Sequence, residues 1–225
     1  MTDRPYPSLV ALLDEAYAAT TAAVAGLNDE AMGRRTRTER WTVKDLLFHQ
    51  MCDAQRALIV FTTEPDEPAD TTAVSYWSAW QPGQPGADAH ARYASQAAAA
   101  YGRGSSLVDQ WTESSRAAVR AARRHGPDGT VATQGHVLSA ADFVHTLGVE
   151  GVVHHLDLTL EVPSPGLSDE GYGLVLEVLS GLLGAELPGG WAPAEAVLKG
   201  TGRMELSDRD RATLGEQASR FPLFG

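Results

Sequence analysis

SAADFVHTLGVEGVVHHLDLTLE, residues 139–161, reads as one helix. Ser139 is placed to cap its start, and Asp142 three residues on completes a variant of the capping box. No proline interrupts the run before Pro163, which with Gly166 marks its end. Phe143, Leu147, Val153, Leu156 and Leu160 lie around the helix and leave little polar face, so most of it is expected to be buried. Into that apolar surface the chain sets Glu150 and His154, four residues apart and pointing the same way from adjacent turns. No Lys or Arg lies within a turn of Glu150. A buried carboxylate without a cation is costly unless it is protonated, paired from elsewhere or bound to a metal. From this spacing alone, a hydrogen-bonded core histidine beside an edge carboxylate competes with a ligand pair.

A second helix offers a partner. In WTVKDLLFHQMCDAQRALIVF, residues 41–61, Thr42 is the N-cap and Asp45 stands at the capping-box position. Leu46, His49, Asp53, Ala57 and Val60 share one stripe, so His49 points inward or toward the edge of the core. Two imidazoles and one carboxylate on facing helices would give a three-ligand site with coordination positions left open. That set suits catalytic zinc and also resembles facial iron(II) sites. Asp53 and Asp157 lie within a turn of His49 and His154; surface or capping positions are expected for both, with an outer role toward the histidines as the alternative. Cys52 reads as a small core residue, a fourth ligand being the competing reading. His155 points about a quarter-turn away from His154, and His136 and His145 find no partner by spacing.

The remaining chain supplies a bundle. Residues 8–27 form an amphipathic helix, and residues 87–124 a long third one that Gly102 and Gly104 are placed to kink or split. The polar connection 28–41 carries Arg34, Arg35, Arg37 and Arg40, expected to be solvated. Residues 62–89 form a loop rich in Pro and Gly, including Pro82, Gly83, Pro85 and Gly86; its Tyr76, Trp77 and Trp80 suit either a lid or a cover on one end of the bundle. Residues 125–134 are expected as a turn region. Four long helices make an all-α four-helix bundle over 1–163, and the long connections argue against simple up-down order. Residues 164–225 are expected as a small, mainly helical appendage: a helix over 168–186, a hairpin or irregular segment at 196–206, and a final helix over 207–219.

Composition limits the partners. A net charge of −11 disfavours general affinity for nucleic acid or anionic membrane. No apolar run is long enough to span a bilayer, and the N-terminal residues do not resemble a signal peptide. A single cysteine fits a reducing cytoplasm. No phosphate loop, G-x-S-x-G or dinucleotide fingerprint occurs.

WTVKDLLFH at Trp41–His49 and EGVVHHLDL at Glu150–Leu158 resemble the two signatures of the DinB/YfiT-like metal-binding bundles, and more closely the branch of mycothiol-dependent maleylpyruvate isomerases. The resemblance covers most of residues 1–163. It implies that His49, Glu150 and His154 bind a divalent metal, usually zinc, and that mycothiol is the thiol cofactor or co-substrate, acting on an electrophilic small molecule in isomerisation or S-transfer. A monomer or homodimer is expected. Arg203 and Arg220 are candidates for a role in the site by location only. A metal-dependent hydrolase on the same bundle and a non-enzymatic ligand-binding or stress-response bundle are the alternative readings.

Overall fold

The computed structural model describes residues 4–63, 65–80 and 87–225. Its frame is four helices: α1 (Tyr6–Val24), α3 (Val43–Val60), α5 (Gly104–His125) and α6 (Ala140–Leu158). Each packs mainly against two others, in the cyclic order α1, α5, α3, α6. Thus α1 lies diagonal to α3 and α5 diagonal to α6, which departs from a simple neighbour-to-neighbour bundle, as the long connections suggest. The fold is all-α and DinB-like, with one small hairpin.

Local signals account for the helix starts. The Thr42 hydroxyl accepts the Asp45 amide at 3.3 Å while the Asp45 carboxylate accepts the Thr42 amide at 3.0 Å, closing the capping box of α3. Ser139 accepts the Asp142 amide at 3.0 Å at the head of α6. Close approach to α6 depends on small residues: a Cβ on Gly151 would sit 3.1 Å from Ala16 Cβ of α1, and one on Gly148 would sit 2.6 Å from Leu174 Cδ1 of α7 (Asp169–Leu183). The core formed this way is continuous from Tyr6 to Phe224, so residues of both the bundle and the C-terminal segment contribute to it.

Three expectations are corrected, and one alternative is decided. The long third helix is split, as its glycines allow, into α4 (Ala87–Ala100) and α5, where Gly104 meets the short α2 (Asp29–Met32). A Cβ on Gly104 would lie 2.8 Å from Met32 Cγ, and its amide donates to Asp29 Oδ1 at 2.8 Å. The turn region before α6 contains a hairpin, β1 (Thr130–Thr133) paired antiparallel with β2 (His136–Ser139). Its two-residue turn places Gln134 and Gly135 at φ 50° and 82°, the conformation that follows strand twist. Conversely, the hairpin or irregular segment expected at 196–206 is helical in its first part and irregular only from Thr201: α8 (Pro193–Gly200) starts on a proline at its first position and buries Ala196, Val197 and Leu198. The final helix stops early, α9 (Asp208–Leu214) giving way at Gly215, φ 58°, to a 3₁₀ turn.

In the 62–89 loop, Tyr76 and Trp77 lie in a 3₁₀ turn (Ser75–Ala79) and are buried, Trp77 stacking on Phe224 at 4.6 Å between centroids. Pro82, Gly83, Pro85 and Gly86 lie outside the described residues. No described helix is long and apolar enough to cross a membrane.

Candidate metal centre

The bundle brings His49 of α3 to Glu150 and His154 of α6. One donor atom from each lies within 4.8 Å of the others. The His49 and His154 rings meet edge-on with centroids 4.9 Å apart. His154 Nε2 is 3.0 Å from Glu150 Oε2, and its Nδ1 is 3.0 Å from Asp157 Oδ2. The second contact holds the ring so that Nε2 faces the site. Asp157 has no exposed surface and in turn accepts Arg203 Nε and Nη2, each at 3.2 Å. Arg203 comes from the turn after α8 and donates also to the Thr201 carbonyl at 2.8 Å. The C-terminal segment therefore reaches the site through a buried carboxylate.

His49 is flanked on both sides. His90 Nε2, from α4, lies 3.3 Å from His49 Nδ1, and Asp53 Oδ2 lies 3.4 Å from His49 Nε2. The Trp41 ring packs against His49 at 4.9 Å and faces His154 at 6.4 Å. Its Nε1 donates to the Ala91 carbonyl at 3.3 Å, tying the motif to α4.

Electrostatics separates the two histidines. Burial and the neighbouring His154 charge push the His49 pKa down to about 4, so it is a neutral nitrogen donor across the physiological range. Burial acts the same way on His154, but its hydrogen bonds to Asp157 and Glu150 outweigh it and raise the pKa to about 9. Burial pushes Glu150 up, yet the hydrogen bond and charge of His154 leave it below its ordinary value. Asp53 is raised, by burial first and by Glu150 second. A cation between Glu150 and His154 would take over the role of the His154 proton, since carboxylate and imidazole are both competent divalent-metal donors. The donor set, its spacing and its outer hydrogen bonds fit such an ion.

The model of the family described as Mycothiol maleylpyruvate isomerase N-terminal domain matches residues 13–159. The chain belongs to this family. No curated protein and no solved structure matches the chain. The matched span contains all three donors contributed by α3 and α6, and Arg203 lies beyond it.

Around this family core, the other candidate residues sort clearly. Asp53 and Asp157 are not surface or capping groups: the Asp53 side chain is 16% exposed and Asp157 wholly buried. Cys52 is half-buried against the core, and burial pushes its thiol up to about 11. His155 turns from the site toward the Pro165 carbonyl, 3.2 Å from Nε2. His145 Nε2 meets the Leu174 carbonyl at 2.9 Å, and His136 Nδ1 meets the Thr71 hydroxyl at 3.1 Å. Arg220 caps α7, donating to the Leu182 and Leu183 carbonyls at 2.6 Å, and takes no part in the site. In the 28–41 connection, the Arg37 amide donates to the Asp157 carbonyl at 3.1 Å and Arg34 to the Glu161 carbonyl at 3.1 Å; these arginines secure the end of α6 as well as facing solvent. Sequence reasoning missed His90 and the place of Trp41 beside both histidines. Trp41 directly precedes the Thr42 cap, and that signal could have pointed to it.

Beside Glu150 a small recess opens, lined in part by Asp53, Arg56, Tyr76, Thr133 and Gln134. The Tyr76 hydroxyl donates to Gln134 Oε1 at 3.1 Å, joining the 3₁₀ turn to the hairpin at its rim.

Proposed function

We propose that the chain is a divalent-metal-dependent enzyme that uses mycothiol as cofactor or co-substrate, working as a cis-trans isomerase or thiol S-transferase on an electrophilic small molecule. The observation that carries this reading is the convergence of His49, Glu150 and His154 within 4.8 Å in a chain of the mycothiol maleylpyruvate isomerase family. These three residues would hold the ion, for which zinc is the best chemical match to two imidazoles and one carboxylate. When bound, such an ion supplies a Lewis acid that lowers the pKa of a thiol and makes thiolate available at neutral pH.

The chain's own residues prepare that site. His49 is neutral at working pH and needs no deprotonation to act as a donor. Asp157 and Arg203 fix the His154 ring and keep its Nε2 toward Glu150. Trp41 and the surrounding helices lower the local dielectric, which strengthens every charge interaction in the site. The reaction class is addition of the thiol sulfur to an electrophilic carbon, reversed after bond rotation in an isomerase and retained in a transferase. In this reading residues 1–163 form the metal-binding unit, and 164–225 an appendage that supplies Arg203. A cytoplasmic location, with its reducing thiol pool, belongs to the same reading and is supported by the single cysteine.

Elemental analysis with calorimetric thiol titration tests the proposal. Zinc near one ion per chain and mycothiol binding that vanishes in His49→Ala are the expected results. A zinc-loaded protein indifferent to thiols, or one that hydrolyses esters or amides without added thiol, would overturn it.

A further inference from the structure

His90 touches the metal centre from outside the two helices that build it. It comes from α4 and meets the His49 ring nitrogen to nitrogen, its Nε2 lying 3.3 Å from His49 Nδ1. The two rings stand at 83° with centroids 5.3 Å apart, so they do not stack. The place of His90 is anchored one residue away, where the Ala91 carbonyl accepts from Trp41 Nε1 at 3.3 Å. The Trp41 indole also lies edge-on to the His90 ring, 6.0 Å between centroids, while packing against His49 at 4.9 Å. Helix α4 is thus fastened to the centre by a tryptophan and a histidine together.

The two nitrogens of His49 are unequal. Nδ1 has a hydrogen-bond partner in His90. Nε2 has Asp53 Oδ2 at 3.4 Å, yet among the described residues that oxygen makes no hydrogen bond. Asp53 lines the same recess as Glu150, so Nε2 lies on the side of the other donors, and His90 does not join the donor set. A neutral imidazole carries one N–H, and only its bare nitrogen can bind a metal. A proton on Nε2 would occupy the donor position and leave His90 as the donor to Nδ1. A proton on Nδ1 is instead accepted by His90 Nε2, and His49 Nε2 is left bare. We infer that His90 is a positioning residue: it accepts the His49 Nδ1–H and so holds His49 in the tautomer and ring orientation that present Nε2 to the ion. The assignment rests on the metal reading above and adds α4 to the elements that prepare the centre.

The test uses the full-length protein at one fixed pH. Long-range proton–nitrogen NMR of the metal-free wild type reads where the His49 proton sits, and Nδ1 is the expected position. Competition against a chromophoric chelator gives zinc affinity. His90→Ala should weaken zinc binding by about tenfold, the lower end for outer hydrogen-bond partners, because His90 is exposed and water can stand in for it. His90→Gln, whose amide oxygen can accept from Nδ1–H, should stay within about threefold of wild type. In metal-free His90→Ala the His49 proton should divide between the two nitrogens, a change that loss of a merely structural contact would not produce. Urea midpoints confirm that both variants fold, and the wild-type tautomer is read without any variant. A wild-type His49 protonated on Nε2, or a folded His90→Ala protein that binds zinc within about twofold of wild type, overturns the positioning role and leaves the metal reading standing. If the wild type binds no zinc, the metal reading fails and this inference fails with it.

Discussion

Replacing Asp157 by asparagine tests how far the metal centre depends on the C-terminal segment. The Asp157 side chain is fully buried and accepts three hydrogen bonds, one from His154 at 3.0 Å and two from Arg203 at 3.2 Å. Asparagine preserves the shape and removes the charge. Arg203, whose side chain is only 13% exposed, then keeps its guanidinium in the interior without a counter-charge. Removing one partner of a buried pair typically costs about 3–5 kcal/mol. The Thr201 carbonyl still accepts from Arg203, which argues for the lower end of that range. For a chain of this size the loss lowers the melting temperature by about 6–12 °C at the lower end. His154 also loses the carboxylate that orients its ring, a change that weakens metal binding by about 10–100-fold in comparable sites. Urea unfolding of metal-free protein measures the first effect, and competition against a chromophoric zinc chelator the second. The double variant Asp157→Asn with Arg203→Met removes both charges and should recover much of the stability without recovering zinc affinity. A folded Asp157→Asn protein that binds zinc within about twofold of wild type would refute the orienting role and leave Asp157 a purely structural ion pair.

Two further outcomes follow from the same geometry. With the His154 pKa raised to about 9 and the His49 pKa lowered to about 4, a metal ion binding between these limits displaces one proton, from His154. Zinc affinity should therefore rise by about tenfold per pH unit from about pH 5.5 to 8, with one proton released per ion in calorimetry across buffers of different ionisation enthalpy; an affinity flat with pH contradicts the assignment. Gly148→Ala should destabilise the protein by about 1–3 kcal/mol, because the new methyl would meet the buried Leu174 at 2.6 Å. Gly166→Ala, whose Cβ would meet nothing within 4 Å, serves as the control and should shift the urea midpoint little.

The helices, and the inward faces that carry the three proposed donors, were legible because their signals are local. Thr42 and Ser139 announce helix starts by chemistry that acts over three residues, and Glu150 and His154 share a face because they are four apart. The hairpin was not legible, because its turn is Gln134-Gly135 and lacks the Asn or Asp that usually marks a left-handed first position. His90 was hidden for another reason: it lies 41 residues from His49, near the start of an alanine-rich helix, and nothing near it in sequence reports what it will touch. α8 was obscured by the Gly and Pro residues before it, although Pro193 is well suited to a first helical position.

Asp157 shows where spacing stops being informative. Its position three residues after His154 made contact possible and left two states open, a solvated acid or a buried one. The difference is set by Arg203, 46 residues further on, which offsets the burial penalty that would otherwise push a proton onto the carboxyl. An ionised Asp157 is a strong acceptor for His154 Nδ1–H; a protonated one would compete as a donor and free the ring to turn. The shared face of Glu150 and His154 is thus written within two helical turns, while the orientation of the His154 ring depends on a cation outside the span matched to the family. It follows that a truncation after residue 163 should weaken the metal centre even if every donor remains, since it removes the charge that keeps Asp157 an acceptor.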